Sequence, residues 1–298
     1  MSKPRKLQIP DLRRKAREGT PLTMITCYDY SMAHFVEEAG LDMVLVGDSL
    51  GMTLLGFDST LPVTMEDMVR HTAAVRRGAP GQFLVGDLPY MSYQPSNAIA
   101  VKSAGRLMAE GGCDAVKLEG GREVVRRVEA IVEAGIPVMG HIGLTPQSAS
   151  SLGGFRLQGK TADAAARLIE DAALLEAAGV FALLVELVPD RVCRIVTESA
   201  QIPIIGLGSG PDAHGQLLIF HDLFGLYPDF RPKMAKLYRD LGAAVLEGLK
   251  EYADDVRERR FPAAEHRFAM ADDEIAELER RLSTSRRRRP LPSSISSS

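Results

Sequence analysis

Tryptophan is absent from this chain, cysteine occurs three times, and neither sign of charge predominates. Cys27, Cys113 and Cys193 are too few and too scattered over 298 residues for a disulfide framework or a CxxC metal site. Each therefore reads as a small reduced core residue. A formal net charge of -3 supplies no global field that would gather nucleic acid or a membrane surface. No apolar stretch approaches the ~20 residues of a membrane-spanning helix, and the N-terminus lacks the continuous apolar segment of a signal peptide. These absences predict a cytoplasmic protein with no membrane and no nucleic-acid partner. A P-loop is missing, as is a GxGxxG turn after the first apolar run, which ends instead in Cys27-Tyr28-Asp29. His214 and His221 lie seven apart and do not match an HExxH spacing, so neither receives a metal role.

What is present is a regular alternation of strand-like and helix-like segments, with 45% hydrophobic residues to build a large core. Strands are expected over 22–27, 43–47, 82–87, 114–119, 137–142, 181–186, 203–207 and 216–220. Helices are expected over 31–39, 66–76, 97–110, 123–134, 163–178, 189–199 and 233–257, with Thr64 and Asp67 forming a capping box for the second. A further helix over 9–18 precedes the first strand, where it could plug the bottom of a barrel. Such alternation argues for α/β architecture with a parallel sheet. Eight strands in this length favour a closed (β/α)8 TIM barrel over a doubly wound sheet. The expected organisation is one barrel domain over 1–270 and an extension over 271–298. The extension carries one helix near 273–282 and then a largely disordered Arg/Ser/Pro-rich tail, a solvated end.

Four apolar runs each deliver an acid near the same end: Asp48, Asp87, Glu119 and Glu186. A parallel barrel gathers its site on the C-terminal rim in this way. Asp48, Asp87 and Glu119 are hard oxygen donors. Clustered carboxylates repel unless a cation sits among them, and an oxygen-only set suits Mg²⁺ better than Zn²⁺. Taken singly, each acid could equally cap a helix or pair with a nearby base. Lys117 lies two residues before Glu119 and shares its strand face; its partner is either Glu119 or a substrate carboxylate. His141 could donate to a substrate oxygen or be held structurally by a backbone carbonyl. Glu186 is a candidate general base, or else an ion-pair partner of Arg191. The loop Gly206-Leu207-Gly208-Ser209-Gly210 is a weak anion-site signal.

Longer motifs narrow these alternatives. Gly47-Asp48-Ser49-Leu50-Gly51-Met52-Thr53, Asp58-Ser59-Thr60-Leu61-Pro62-Val63-Thr64, Lys117-Leu118-Glu119-Gly120-Gly121 and Gly140-His141-Ile142-Gly143-Leu144-Thr145-Pro146-Gln147 closely resemble the ketopantoate (3-methyl-2-oxobutanoate) hydroxymethyltransferase family. The match extends from about residue 7 to residue 268. The resemblance implies a barrel of the phosphoenolpyruvate mutase/isocitrate lyase type. It implies transfer of a hydroxymethyl group from 5,10-methylenetetrahydrofolate to 3-methyl-2-oxobutanoate, giving 2-dehydropantoate for pantothenate synthesis. It also implies Mg²⁺ held by Asp48, Asp87 and Glu119, and ketoacid contacts from Asp48, Ser49, Asp87 and Lys117. Glu186 becomes the proton acceptor and His141 the active-site histidine. A homo-oligomer, commonly a decamer, is implied as well. One departure stands out: His214-Gly215-Gln216 occupies a place where family members often carry Asp-Gly-Gln. A carbon–carbon lyase or phosphonate-type mutase would use the same barrel without folate, and a non-catalytic scaffold is the alternative outside enzymes.

Overall fold

Alternate residues of a strand face opposite ways, and the apolar runs of this chain are apolar on both faces. A strand covered on both sides is the pattern of a parallel sheet wrapped in helices. In the computed structural model, which describes residues 5–228 and 230–287, eight such strands pair in parallel, in sequence order, into a closed barrel. They are β1 (Leu22–Thr26), β2 (Met43–Val46), β3 (Phe83–Asp87), β4 (Ala115–Glu119), β5 (Val138–Gly143), β6 (Ala182–Glu186), β7 (Ile204–Leu207) and β8 (Gly215–Leu218). Each lies within about two residues of its expected span.

Two apolar layers follow from the alternation. Met43 and Leu45 of β2, Phe83 and Val85 of β3, and Ala182 and Leu184 of β6 point into the barrel and fill it. Val44 and Val46, Leu84, and Leu183 and Val185 point outward. The outer layer is covered by α2 (Tyr30–Ala39), α4 (Met65–Gly78), α5 (Asn97–Arg106), α6 (Val125–Glu133), α7 (Ala162–Ala177) and α8 (Asp190–Ser199). The N-terminal helix α1 (Ile9–Arg17) closes one end: Leu12 and Ala16 join the interior cluster beneath Met24 and Phe83. Inside it, the Phe83 and Phe181 rings meet edge to face at 5.5 Å. The expected plug is therefore present, and it leaves only the opposite rim open.

Local signals hold the helices in place. Thr64 Oγ1 accepts from Asp67 N while Asp67 Oδ2 accepts from Thr64 N, the expected capping box of α4. Asp29 caps α2 by accepting from Met32 N.

The structure departs from expectation in four places. The segment after β2 is not all loop, because it opens on the single-turn helix α3 (Leu50–Thr53). The expected helix over 97–110 ends in a wide π turn, Leu107–Gly111, closed by Gly112 in the left-handed region. The expected strand over 216–220 ends at Leu218, and a helix of five residues, Phe220–Phe224, follows it. The first part of the expected helix over 233–257, residues 233–240, is not helical: two prolines precede it, and backbone bonds from Ala235 N to Pro232 O and from Tyr238 N to Leu223 O tie it down. Helix α10 begins only at Leu241 (Leu241–Arg257).

Two compact units result, Met1–Gly242 and Ala243–Ser298, a division upstream of the expected boundary at 270/271. In the second unit, α10 buries none of its residues, and Val245, Leu249, Tyr252 and Val256 make an exposed apolar row. Helix α11 (Asp272–Arg287) extends past the expected 273–282; residues 288–298, which carry most of the expected disordered tail, lie outside the described residues.

Candidate active site

The register of the strands decides which chemical groups become neighbours. Asp87, the last residue of β3, is paired with Lys117 of β4. Glu119, the last residue of β4, is paired with His141 of β5. Glu186, the last residue of β6, is paired with Gly143. Partners in a parallel register share a face, so each interior stripe of apolar side chains ends, at the open rim, in a polar one. Asp48 arrives differently. Strict alternation from Met43 and Leu45 would turn it outward, but β2 stops at Val46 and a turn through Gly47 brings it into the rim. Gly143 lies at φ +95°, and a Cβ there would come within 2.1 Å of Glu186 O, so only glycine lets β5 pass the tip of β6 this closely.

All seven residues singled out from the sequence, Asp48, Ser49, Asp87, Lys117, Glu119, His141 and Glu186, line one cavity of about 970 Å³ at this rim. All but Ser49 are less than 9% exposed. Lys117 Nζ lies 2.8 Å from Asp87 Oδ1 and 3.9 Å from Glu119 Oε1, so both acids compensate the lysine. Burial first, and then the neighbouring acids, push the Asp48 carboxyl well above the ordinary carboxylate range. Burial likewise raises Asp87 and Glu119, against the pull of the Lys117 ammonium. Burial disfavours the charged Lys117, but Asp87, Glu119 and Asp48 together outweigh it and hold the ammonium charged.

His141 Nδ1 faces Lys117 Nζ at 3.4 Å. An ammonium can only donate, so Nδ1 is the acceptor and the proton of the neutral imidazole sits on Nε2. Burial and the Lys117 charge keep this ring neutral by lowering its pKa. Nε2 lies 3.2 Å from Glu186 Oε2, close but out of line for a hydrogen bond. Glu186 thus has His141 as its partner rather than Arg191, whose backbone bonds to Asp190. Ser49 shares a hydrogen bond of 2.8 Å with the buried Tyr28 hydroxyl.

A divalent cation fits the charge of this cluster. Three buried acids share one ammonium, and burial together with their mutual repulsion raises their carboxyls, a cost that a dication among them would relieve. Asp87 Oδ1 is buried with the Lys117 ammonium 2.8 Å away but not aligned for a hydrogen bond, so it retains acceptor capacity. Among the described residues no three His, Cys, Asp or Glu side chains are placed so that together they could hold a metal ion directly. That is compatible with Mg²⁺, which keeps several waters and takes only one or two carboxylates directly.

Two functional residues escaped the reading of strand ends. Gln147 donates from Nε2 to Asp48 Oδ2 and to Leu88 O, both at 2.9 Å, and from its backbone N to Glu119 Oε2 at 2.9 Å. Tyr93 donates to Gln147 Oε1 at 2.8 Å and lies 3.0 Å from Glu119 O. One loop glutamine thus orients two of the three carboxylates. Its only sequence signal was its place in the Thr145-Pro146-Gln147 motif, because a loop residue has no periodicity to say where it points. Gln147→Leu is expected to lower kcat/KM by about 10- to 100-fold and stability by about 1–3 kcal/mol, since it strands Leu88 O and releases Asp48. Steady-state kinetics and thermal melting check both figures.

Elsewhere the structure settles two minor signals. The glycine loop after β7 is not an open anion cradle: Ser209 Oγ donates to Val185 O and accepts from Val188 N, and Met234 covers Gly208. His214 sits just before β8, at the closed end of the barrel, where its Nδ1 accepts from Ile204 N at 3.1 Å. A carboxylate would accept the same bond, so the departure from Asp at this position leaves the rim untouched.

Comparison with known proteins agrees with this geometry. A family model described as ketopantoate hydroxymethyltransferase matches residues 6–264. The 3-methyl-2-oxobutanoate hydroxymethyltransferase of Moorella thermoacetica is 52% identical over 268 residues, covering 90% of this chain and all of that protein. That of Desulfotalea psychrophila is 51% identical over 265 residues, 89% of this chain and 95% of the other. Among solved structures, phosphoenolpyruvate phosphomutase from Streptomyces platensis subsp. rosaceus superposes with a TM-score of 0.58 at 14% identity, covering 95% and 99% of the two chains. A phosphonopyruvate hydrolase complex with oxalate and Mg²⁺ gives 0.57 at 14% identity, covering 94% and 98%. The structural likeness establishes the shared barrel, and the extent of the sequence match establishes more: the chain belongs to the ketopantoate hydroxymethyltransferase family.

Proposed function

We propose that this chain is a 3-methyl-2-oxobutanoate hydroxymethyltransferase of pantothenate biosynthesis. It moves a one-carbon unit from 5,10-methylenetetrahydrofolate to C3 of the ketoacid, giving 2-dehydropantoate. The observation that carries this reading is the meeting of a paired lysine, three buried carboxylates and a histidine-backed glutamate in one cavity. Asp48, Asp87 and Glu119 would hold Mg²⁺. When bound, that ion supplies electrophilic polarisation of the substrate carbonyl and so raises the acidity of the adjacent C3–H.

The remaining roles fall to the chain's own groups. Lys117, already balanced by Asp87, adds a fixed positive charge beside the substrate's carboxylate end. Ser49, positioned by Tyr28, offers a hydroxyl at the same side. Glu186 takes the C3 proton, and the freed electron pair attacks the donor's methylene in its iminium form; water then replaces the folate nitrogen on that carbon, which supplies the hydroxyl oxygen and releases tetrahydrofolate. Neutral His141 places its Nε2–H 3.2 Å from Glu186, a donor that steadies the base once the two groups align around substrate. The apolar lining, which includes Leu144, Leu184 and Leu207, excludes water from the carbanion.

No helix among the described residues is long and apolar enough to cross a membrane, and a cytoplasmic location is part of the same reading. A homo-oligomer, the decamer of the family resemblance, is part of it too. The apolar row on α10 is surface of the kind that assembly would cover.

The deciding experiment incubates purified protein with 3-methyl-2-oxobutanoate and methylenetetrahydrofolate. 2-Dehydropantoate is expected with Mg²⁺ present, and its formation should fall by at least about tenfold after EDTA treatment and return on readdition. Product formation that ignores EDTA would remove the metal from the reading. No product under any condition would remove the activity.

A further inference from the structure

A five-carbon ketoacid does not need a cavity of about 970 Å³, a volume at the upper end for pockets that hold drug-sized ligands (~300–1,000 Å³). The carboxylates and their lysine occupy the arc from β2 to β6. Across the mouth, where β8 meets β1, the wall changes character. Ile219, Tyr227 and Phe230 make it largely apolar, one acid, Asp222, stands in it, and Lys233 lines the same cavity without an ion pair to that acid. Asp222 belongs to the short helix α9 (Phe220–Phe224) that follows β8. Its place is fixed on both sides: Phe220 N donates to Thr26 Oγ1 at 3.1 Å, and the Phe220 and Phe224 rings meet at 4.7 Å.

Asp222 is 7% exposed and lines the cavity, and among the described residues it has no hydrogen-bond or ion-pair partner. Burial alone raises its carboxyl to about 6, so near neutral pH it is a desolvated carboxylate awaiting a donor. Leaving such a group unpaired is costly, and nothing in the chemistry assigned to the carboxylate cluster uses it. A ligand that satisfies both oxygens at once presents two parallel N–H donors, and one that also uses the apolar wall is flat and reaches across the mouth.

We propose that Asp222 anchors the pterin ring of the one-carbon donor. Its two oxygens accept from the ring amide N–H and the exocyclic amino group, a guanidine-like edge that a carboxylate matches in a bidentate pair. The proposal rests on the folate-dependent reading above and adds the residue that recognises the donor. With the ring held against the β8–α9 wall, the transferable carbon lies between that wall and the cluster on β2–β6.

The test is a ligand–variant cycle with tetrahydrofolate and its 2-desamino analogue, titrated into the wild-type protein and Asp222→Asn, with thermal melting to confirm folding. Wild type is expected to prefer tetrahydrofolate by about 10- to 100-fold, the size of a charged hydrogen bond. Asp222→Asn is expected to lose most of that preference. Equal preference in both proteins overturns the anchor while leaving folate dependence standing. Failure of wild type to bind tetrahydrofolate at all overturns folate dependence and the anchor together. Should the variant not fold, wild type decides alone: no discrimination between the two ligands overturns the proposal.

Discussion

Glu186→Gln is expected to abolish C3 proton exchange of 3-methyl-2-oxobutanoate and to cut turnover by about 10²- to 10⁴-fold, the usual contribution of a positioned general base. The substitution is close to isosteric. The glutamine carbonyl can still face His141 Nε2, which lies 3.2 Å from Glu186 Oε2, so the imidazole keeps its orientation. The β6 tip is fixed by its close passage of Gly143, and the backbone bond from Leu144 N to Glu186 O at 2.8 Å does not depend on the side chain. Ketoacid affinity, which the reading assigns to the cluster around Lys117, should therefore change by no more than about threefold, within the scatter of a lost neutral contact. Deuterium loss from C3, followed by NMR with no folate donor present, isolates the proton step from the transfer step. Exchange at the wild-type rate would take the base role away from Glu186 and direct the search to another group at the rim.

How much of this is legible in the sequence depends on how each residue reaches the rim. Asp87, Lys117, Glu119, His141 and Glu186 lie on strands, and a strand's period of two reports which way a side chain faces. Lys117 and Glu119 could therefore be placed on one face from their spacing alone, and the structure finds both inside the barrel. Asp48 was found by its position after an apolar run, although strict alternation misdirects it; the turn at Gly47 that corrects its direction is not encoded in any periodicity. Gln147 and Tyr93 lie between strands, where no period reports direction, yet their hydrogen bonds bind the cluster together. Asp222 was hidden for a related reason. Its helix has only five residues, too short for a 3.6-residue period to show, and it lies just past the expected strand over 216–220, where no element is expected. The segment over 233–240 failed for a third reason. Its composition suits a helix, but tertiary bonds to Pro232 and Leu223 override that local preference.

Lys117→Met is expected to cost about 3–5 kcal/mol of stability, because it removes the single cation from a buried group of acids and leaves their charge uncompensated. For a chain of this size that corresponds to a melting point lower by on the order of 10 °C. Its dependence on pH follows from the direction of the shifts. Asp48, Asp87 and Glu119 have carboxyls raised in the fold above 3.8, 3.8 and 4.5. In the window between those values and the folded ones, the native state binds more protons than the unfolded state. Stability from these groups therefore falls as pH rises through that window, and the full penalty is felt above it. Lys117 has the opposite bearing: its pKa is raised above 10.5, so its contribution is complete at neutral pH and is lost only in strong alkali. Methionine fills similar volume without charge, and its removal of the ammonium lets the carboxyls rise further and widens the window. The deficit between variant and wild type should accordingly be larger at pH 8 than at pH 5 when both are melted in EDTA, and turnover of the variant should be lost at either pH. Melting curves separated by the same interval at both values would show that the ammonium is not what holds these acids in their charged state, and the electrostatic account of the rim would have to be rebuilt around Gln147 and Tyr93.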